Sequence, residues 1–440
     1  MKFVYIEAYG CSANISEYEI LSGLLLKEGF KIADNPSESD INIILTCVVK
    51  TPTSDRMAYR IKKLSELRKP LIVAGCMPEV EYERIKSISP GISLISTNHL
   101  KQIPKLINRI MEGEKVELRG RNNEIKICSP KIRKNPVVNI VQISSGCKSS
   151  CSYCCVKLAK GNLFSYPPEM IVKDIEKSVR EGCREIWITS QDNSCYGFDT
   201  GMDLVELLGR ITQIKGNFRV RVGMMNPSHL GPIIGRLTEV YKSPKIYKFI
   251  HIPVQSGSDK ILRLMRRGYT VKDFKEIVDK FRESIPDLTL STDIIVGFPG
   301  ETEKDFERTL SLVRRIRPDV VNVSKFGPRP GTDAVRMKRL DDMAVKQRST
   351  KLAHLVRKMG LEKNMEWVGK ECEVLVAERG KKKNQFAGRN ESYKPVVVES
   401  EENLIGRILK VRIAGAGQTY LIPYPVLLES RHETAGHSNQ

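Results

Sequence analysis

The chain has no long apolar run. Nowhere in its 440 residues does a stretch approach the ~20 apolar residues needed to span a bilayer. The N-terminus, Lys2 to Gly10, opens directly in a strand pattern and lacks the charged, apolar and small-residue sections of a secretory signal. Glycine and proline, 31 and 22 residues, are near average usage, which excludes a collagen, a Pro/Gly linker protein and low-complexity disorder. A disulfide framework is also absent. Eleven cysteines is an odd number, and the chain is long for a disulfide-stapled scaffold. A soluble cytoplasmic protein with no membrane partner is expected. In a reducing compartment its thiols stay available as metal ligands.

What is present is positive charge. Lys plus Arg is 72 against 52 Asp plus Glu, a formal +20. That balance points to a polyanionic partner, most often nucleic acid, although a generally basic surface gives the same total. The excess is uneven. Residues 119–134 carry six basic side chains against one acid, and residues 329–365 carry ten against four.

Three segments are expected. In the first, the short apolar runs Phe3–Ala8, Ile41–Leu45 and Leu71–Ala74 alternate with helical patterns at Glu17–Glu28 and Arg56–Leu67. Nearly continuous β-branched runs read as buried parallel strands, and the alternation reads as a doubly wound α/β domain. The second segment repeats the strand–helix unit six times. Its strands are expected at Val137–Ile143, Glu185–Thr189, Phe218–Val222, Lys248–Val254, Thr289–Val296 and Val320–Phe326. Six such units make an open sheet or a partial barrel, and either gathers its chemistry at the C-terminal strand ends. In the third, β patterns at Glu371–Val376, Pro395–Val398, Ile408–Ile413 and Thr419–Ile422 fit a five-stranded small barrel. Arg379, Lys381, Lys382, Lys383 and Arg389 cluster in one expected loop and its edge, as candidate RNA contacts.

Cys147-Lys-Ser-Ser-Cys151-Ser-Tyr-Cys154 follows the first strand of the six-unit segment. Three thiolates from one loop can hold a cubane and leave one iron open, whereas structural zinc would want a fourth ligand nearby. Cys11, Cys47 and Cys76 look unrelated by spacing, but each lies just past the end of an expected strand. Parallel strands end on one sheet edge, so three thiols are expected to converge there. The alternative is three buried core cysteines. Gln191, Gln255 and Asp293, in or beside strand-end motifs of the second segment, are candidate polar contacts to a cofactor or substrate.

The Cys147–Cys154 motif after a first strand, with Tyr153 before the third cysteine, resembles the radical S-adenosylmethionine enzymes. The resemblance implies a partial (β/α)6 barrel and a 4Fe–4S cluster. Its open iron would bind S-adenosylmethionine, and one electron would cleave it to a 5′-deoxyadenosyl radical. Gly10-Cys11-Ser12, Asn14, Gly75-Cys76-Met77-Pro78 and Arg267-Gly-Tyr-Thr270 extend the likeness to the methylthiotransferases. That family implies an N-terminal flavodoxin-like domain (1–112), a basic linker (113–132), a radical core (133–365), a TRAM barrel (366–428) and a polar tail (429–440). It also implies a second 4Fe–4S cluster on Cys11, Cys47 and Cys76 that carries the sulfur. S-adenosylmethionine then serves as both radical source and methyl donor. A low-potential electron donor such as a ferredoxin or flavodoxin, and a sulfur source, are further implied partners. Cys128, Cys155, Cys183, Cys195 and Cys372 take no role from the resemblance.

Lys157-Leu-Ala159-Lys160-Gly161 is similar to a Lys-x-Ala-Arg-Gly tract of the archaeal and eukaryotic branch, with Lys160 in place of Arg. Glu378-Arg-Gly-Lys-Lys382 and Gly388–Val396 resemble the same branch. Its implied substrate is tRNA bearing N6-threonylcarbamoyladenosine beside the anticodon, thiomethylated at carbon 2. Isopentenyladenosine in tRNA and a ribosomal-protein aspartate are the alternatives within the family. A non-catalytic RNA-binding protein with structural metal sites, or a radical enzyme with a single cluster, are the alternatives outside it.

Overall fold

The structure, a computed structural model, describes residues 2–425. It divides into two compact units, one running to Met359 and the other from Gly360. The expected tail, 429–440, and the last three residues of the expected TRAM segment lie outside the described residues.

The first unit begins with strands β1 (Phe3–Ala8), β2 (Lys31–Ala33), β3 (Ile41–Thr46), β4 (Leu71–Gly75), β5 (Ser93–Ser96) and β6 (Glu117–Leu118). They form one parallel sheet in the order β2-β1-β3-β4-β5-β6. The strand period of two explains why β3 is apolar throughout: Ile43 and Leu45 face one side, Ile44 the other. Helix α1 (Ser12–Lys27) covers the first side with Ile20, Leu21 and Leu25. Helix α2 (Thr51–Ser65) covers the second with Met57, Ile61 and Leu64. This is the expected doubly wound arrangement, with the short strands β2, β5 and β6 added to it.

The same unit continues with β7 (Val138–Gln142), a two-stranded ribbon of β8 (Ser144–Ser145) and β9 (Phe164–Ser165), then β10 (Glu185–Thr189), β11 (Arg219–Val222), β12 (Phe249–His251), β13 (Thr289–Val296) and β14 (Val320–Lys325). Two parallel sheets, β7-β10-β11 and β12-β13-β14, are joined by a bridge from Val220 to Ile246. The six strands follow chain order and stay open between β7 and β14, giving the partial barrel. Strand β12 is shorter than the expected Lys248–Val254, because the chain turns into Pro253, which has no N–H for a ladder. The apolar residues Ile186, Ile188, Val220, Val222, Leu290 and Ile294 pack outward against the surrounding helices.

The flavodoxin-like part reaches both edges of this open barrel. From α1, Ser16 Oγ donates to Ile140 O (3.3 Å), and Gln142 Nε2 donates back to Ala13 O (3.4 Å). Beyond β14, Arg329 Nη1 donates to Glu81 Oε1 (3.4 Å).

The second unit holds β15 (Glu371–Arg379), β16 (Gln385–Asn390), β17 (Pro395–Glu399), β18 (Ile408–Ala416) and β19 (Leu421–Pro423), closed as β15-β16-β17-β19-β18. The expected basic cluster is corrected at Arg389. Arg379 ends β15, Arg389 lies within β16, and only Lys381, Lys382 and Lys383 occupy the turn. The last strand likewise starts at Leu421 rather than Thr419. Among the described residues no helix is long and apolar enough to cross a membrane.

Candidate functional site

Cys11, Cys47 and Cys76 follow β1, β3 and β4, three neighbouring strands of the first sheet. Two side chains stitch their loops together. Asn14 Nδ2 donates to Tyr9 O (2.8 Å) and Thr46 O (3.0 Å), joining the first two loops. Thr46 Oγ1 donates to Ala74 O (2.7 Å) and accepts from the Met77 N–H (3.1 Å), joining the second and third. Backbone approach is tight. Gly10 has φ +111°, and a Cβ there would fall 2.4 Å from Cys47 Cβ, so only glycine fits. Cys47 and Cys76 are buried and Cys11 opens to solvent.

The three thiols differ in acidity. A hydrogen bond with Cys47 and the charge of Lys160 hold the Cys11 thiol down at about 6, against burial. The same bond, then burial, pushes Cys47 up. Burial pushes Cys76 up to about 12, opposed by Lys160.

The second trio lies in the loop after β7. Arg267 organises it from the far side of the barrel. Its guanidinium donates to Cys151 Sγ (3.1 Å), Asn226 Oδ1 (3.1 Å) and Tyr269 Oη (3.1 Å). Asn226 in turn donates from Nδ2 to Ser149 Oγ (3.0 Å) and from its backbone N–H to Asp192 Oδ1 (3.0 Å). The Ser149 N–H lies 3.4 Å from Cys147 Sγ and donates to it. Burial raises Cys147, and burial with the charge of Cys151 pushes Cys154 up to about 11. Tyr153 packs edge-on against Phe298, 6.2 Å between centroids, under the Gly297–Thr302 loop.

Of the polar candidates, Gln191 and Gln255 lie past the ends of β10 and β12, whereas Asp293 lies within β13. Gln191 Oε1, Gln255 Oε1 and Ser190 Oγ are buried with no hydrogen-bond partner among the described residues. Gln255 also holds φ +68°, a left-handed backbone that costs free energy outside glycine. Unpaired buried acceptors are costly, so these atoms fit a polar ligand in the barrel mouth. Asp293 lies 3.1 Å from His251 Nε2 and accepts from Asn322 Nδ2 at 2.7 Å. Burial would raise its pKa, but these bonds and the charge of Lys50, from the flavodoxin-like part, hold it below the usual aspartate value.

The two trios meet through their neighbours. Cys155, next to Cys154, donates from Sγ to the carbonyl oxygen of Val48, next to Cys47, at 3.5 Å. Among the described residues no three His, Cys, Asp or Glu side chains stand close enough to hold a single metal ion. A cubane is a larger object, since each thiolate takes a separate iron. Three soft thiolate donors per loop set fit that chemistry.

Sequence reasoning missed several members of this site. Arg267 lay within a quoted motif but had no role, and Asn226, Glu17, Lys126 and Lys160 had none either. The basic stretch 119–134 is partly tied down in the fold: three of its six cations form ion pairs, while Arg119, Arg121 and Lys134 are exposed. Lys126 pairs with Glu17 (2.6 Å), Lys131 with Asp174 (3.0 Å) and Arg133 with Glu181 (2.7 Å). In the second unit, Arg379 lies over Phe386 and Arg389 over Tyr393, while Lys381, Lys382 and Lys383 are exposed.

Residues 3–97 match Uncharacterized protein family UPF0004, residues 141–313 the Radical SAM superfamily and residues 366–422 the TRAM domain. The chain is 41% identical over 421 residues to the probable threonylcarbamoyladenosine tRNA methylthiotransferase of Methanothermobacter thermautotrophicus, covering 95% of this chain and 98% of that one. It is 43% identical over 423 residues to the protein of the same name in Pyrococcus abyssi, covering 95% and 98%. To the human threonylcarbamoyladenosine tRNA methylthiotransferase it is 34% identical over 431 residues, covering 96% and 74%. Among solved structures it resembles the radical S-adenosylmethionine methyltransferase TsrM from Kitasatospora setae, with tryptophan and a SAM analogue bound. The TM-score is 0.58 at 14% identity, over 76% of this chain and 75% of that one. The cobalamin-dependent radical enzyme OxsB gives 0.53 at 15% identity, over 82% and 56%. At such identities the likeness is one of fold alone.

Proposed function

The chain belongs to the threonylcarbamoyladenosine tRNA methylthiotransferase family, and on that premise we propose that it converts N6-threonylcarbamoyladenosine beside the anticodon of tRNA to its 2-methylthio derivative. The observation that carries this reading is the pairing of the two cysteine trios within one compact unit, joined by the Cys155–Val48 hydrogen bond. A reaction that needs both a radical and a sulfur at one carbon requires two centres facing each other.

A 4Fe–4S cluster on Cys147, Cys151 and Cys154 would supply the electron that cleaves S-adenosylmethionine, and a second on Cys11, Cys47 and Cys76 would carry the sulfur. The protein's own part is orientation. Arg267 fixes Cys151 and, through Asn226 and Ser149, the start of the cysteine loop. Gln191 and Gln255 offer acceptors to the cofactor, with Tyr153 closing the loop beneath them. Asp293, held ionised between His251 and Asn322, offers an acceptor in the barrel mouth. Arg379, Lys381, Lys382, Lys383 and Arg389 of the TRAM segment contact the RNA backbone. A ferredoxin- or flavodoxin-like donor and an external sulfur source complete the reaction in the cytoplasm. Its domains are taken as 1–112, 113–132, 133–365 and 366–428.

Anaerobically reconstituted protein is mixed with S-adenosylmethionine, reductant and tRNA carrying either threonylcarbamoyladenosine or isopentenyladenosine. Nucleoside mass spectrometry is expected to find methylthio addition to the first alone. In Cys47→Ala, iron is expected to fall from about eight to about four per chain, as loss of one cubane requires. That variant should still form 5′-deoxyadenosine but no methylthio product. Addition only to isopentenyladenosine would reassign the substrate, and a fully active Cys47→Ala would remove the second centre.

A further inference from the structure

Three charged side chains that the mechanism does not use meet in the interior near Cys76. Glu17 comes from α1, Lys126 from the segment after β6, and Lys160 from the short helix Val156–Lys160 that follows the cysteine loop of the barrel. Their side chains are 0%, 3% and 2% exposed. One oxygen, Glu17 Oε1, accepts from Lys126 Nζ (2.6 Å), Lys160 Nζ (2.7 Å) and Thr97 Oγ1 (2.6 Å). Both ammoniums also donate to Thr97 Oγ1, at 3.0 and 2.6 Å. Glu17 Oε2 has no hydrogen-bond partner among the described residues.

One carboxylate serves two lysines, and burial holds Lys126 below the usual lysine value. The next carboxylate, Glu124, accepts from the Lys101 N–H at 3.0 Å and forms no ion pair with either lysine among the described residues. Lys160 shares its one carboxylate oxygen with a second lysine, so its buried ammonium is favoured by a further anion within reach. The strand register sets Gly75 beside Ser96, so Thr97, which both lysines touch, lies next to Cys76, and Ala159 shares a buried cluster with Cys76. A cubane core carrying two positive charges on three thiolates is a monoanion, and one-electron reduction makes it a dianion. Net charge and nearby donors are among the terms that set such a potential.

We propose that Lys160 is a positioning residue for the centre at Cys11, Cys47 and Cys76. Its ammonium, locked by Glu17 and Thr97, supplies the buried positive charge that balances the anionic cluster and favours its more negative states. This inference rests on the two-centre reading above. It also gives Lys160 a second consequence. The residue sits six positions after Cys154, so the loop that holds one centre carries the counter-charge of the other.

The test uses the full chain with Cys147, Cys151 and Cys154 replaced by alanine, so that only the second centre remains. Its midpoint potential is measured by titration followed by electron paramagnetic resonance, with no turnover needed. Lys160→Gln is expected to move the midpoint to more negative potential, on the order of tenfold in the reduced-to-oxidised ratio or ~59 mV for one electron. Lys160→Arg should restore most of it. Glu17→Gln, which exposes the second ammonium, should move it the other way, so the proposal stays testable if one variant misfolds. An intact cluster whose midpoint is the same in Lys160→Gln and Glu17→Gln overturns this inference alone. Failure of the parent triple variant to hold any cluster overturns the second centre, and this inference with it.

Discussion

Arg267 shows what a single residue does in this site. It reaches Cys151 across 116 positions and Asn226 across 41, and one planar fork serves both together with Tyr269. A lysine keeps the charge but cannot present several fixed donors at once. Hydrogen bonds to charged groups contribute ~1.5–3 kcal/mol each, which is about tenfold to a hundredfold in a rate or constant. Lys in place of Arg267 should therefore lower 5′-deoxyadenosine formation by at least about tenfold. The melting temperature of the apo-protein should fall as well, because Arg267 is buried and its bonds to Asn226 and Tyr269 are lost with the Cys151 contact. A variant that cleaves S-adenosylmethionine at the parent rate would show that the Cys151 contact is incidental. The cysteines themselves were legible because their position relative to strands is local information. Arg267, Asn226 and Glu17 were not, because what defines them is contact between segments distant along the chain. The two glutamines lie between these cases: Gln191 and Gln255 could be picked from strand-end placement, but their unpaired oxygens appear only in three dimensions.

At the scale of elements, the loop after β13 depends on the helix that follows it. Thr302 caps helix Glu303–Ile316, and Asp305 bonds back to the Thr302 N–H (3.0 Å), closing a reciprocal capping box. Asp305 also accepts from Lys260 (2.9 Å) and Ser258 (2.7 Å), and Glu301 accepts from the Gly297 N–H (2.9 Å). Thr302→Ala should cost about 1 kcal/mol in urea unfolding of the apo-protein, the usual value of such a cap. Burial would raise the Asp305 pKa, but its bonds to Thr302 and Lys260 hold it below the ordinary 3.8. A lowered carboxylate pKa contributes stability that is present above the unfolded value and lost as the pH falls below it. The parent should thus be more stable than Asp305→Asn at pH 7, and that advantage should shrink below about pH 4. A constant difference between pH 7 and pH 3 would contradict it. Long apolar strands such as β3 and β13 were readable for the reason they are stable: both faces are covered. Strand β16 was not, because its inward positions are Phe386, Gly388 and Asn390, only one of them a large apolar residue. Strands β5 and β6 are four and two residues long, too short to show a period.

At the scale of the whole molecule, a net charge of +20 does not say where the charge is usable. Part of it is spent on internal pairing. Lys126 and Lys131 look like a basic linker in one dimension, but in the fold they neutralise Glu17 and Asp174. Lys381, Lys382 and Lys383 pair with nothing in the protein among the described residues and stand exposed at one turn of the second unit. Counterions condensed on RNA phosphates are released only by cations that reach them, and each such contact adds ~0.7 to the slope of log affinity against log salt for a single strand. Replacing all three lysines by glutamine should therefore flatten the slope for tRNA by about 2. Affinity should weaken about equally for tRNA with and without the modified adenosine, because phosphate contacts carry no base information. Lys131→Gln removes the same formal charge per residue but should leave the slope unchanged while lowering the unfolding midpoint. If Lys131→Gln flattened the slope and the triple variant did not, the RNA would lie along the linker, and the ion pair with Asp174 would have to open when tRNA binds.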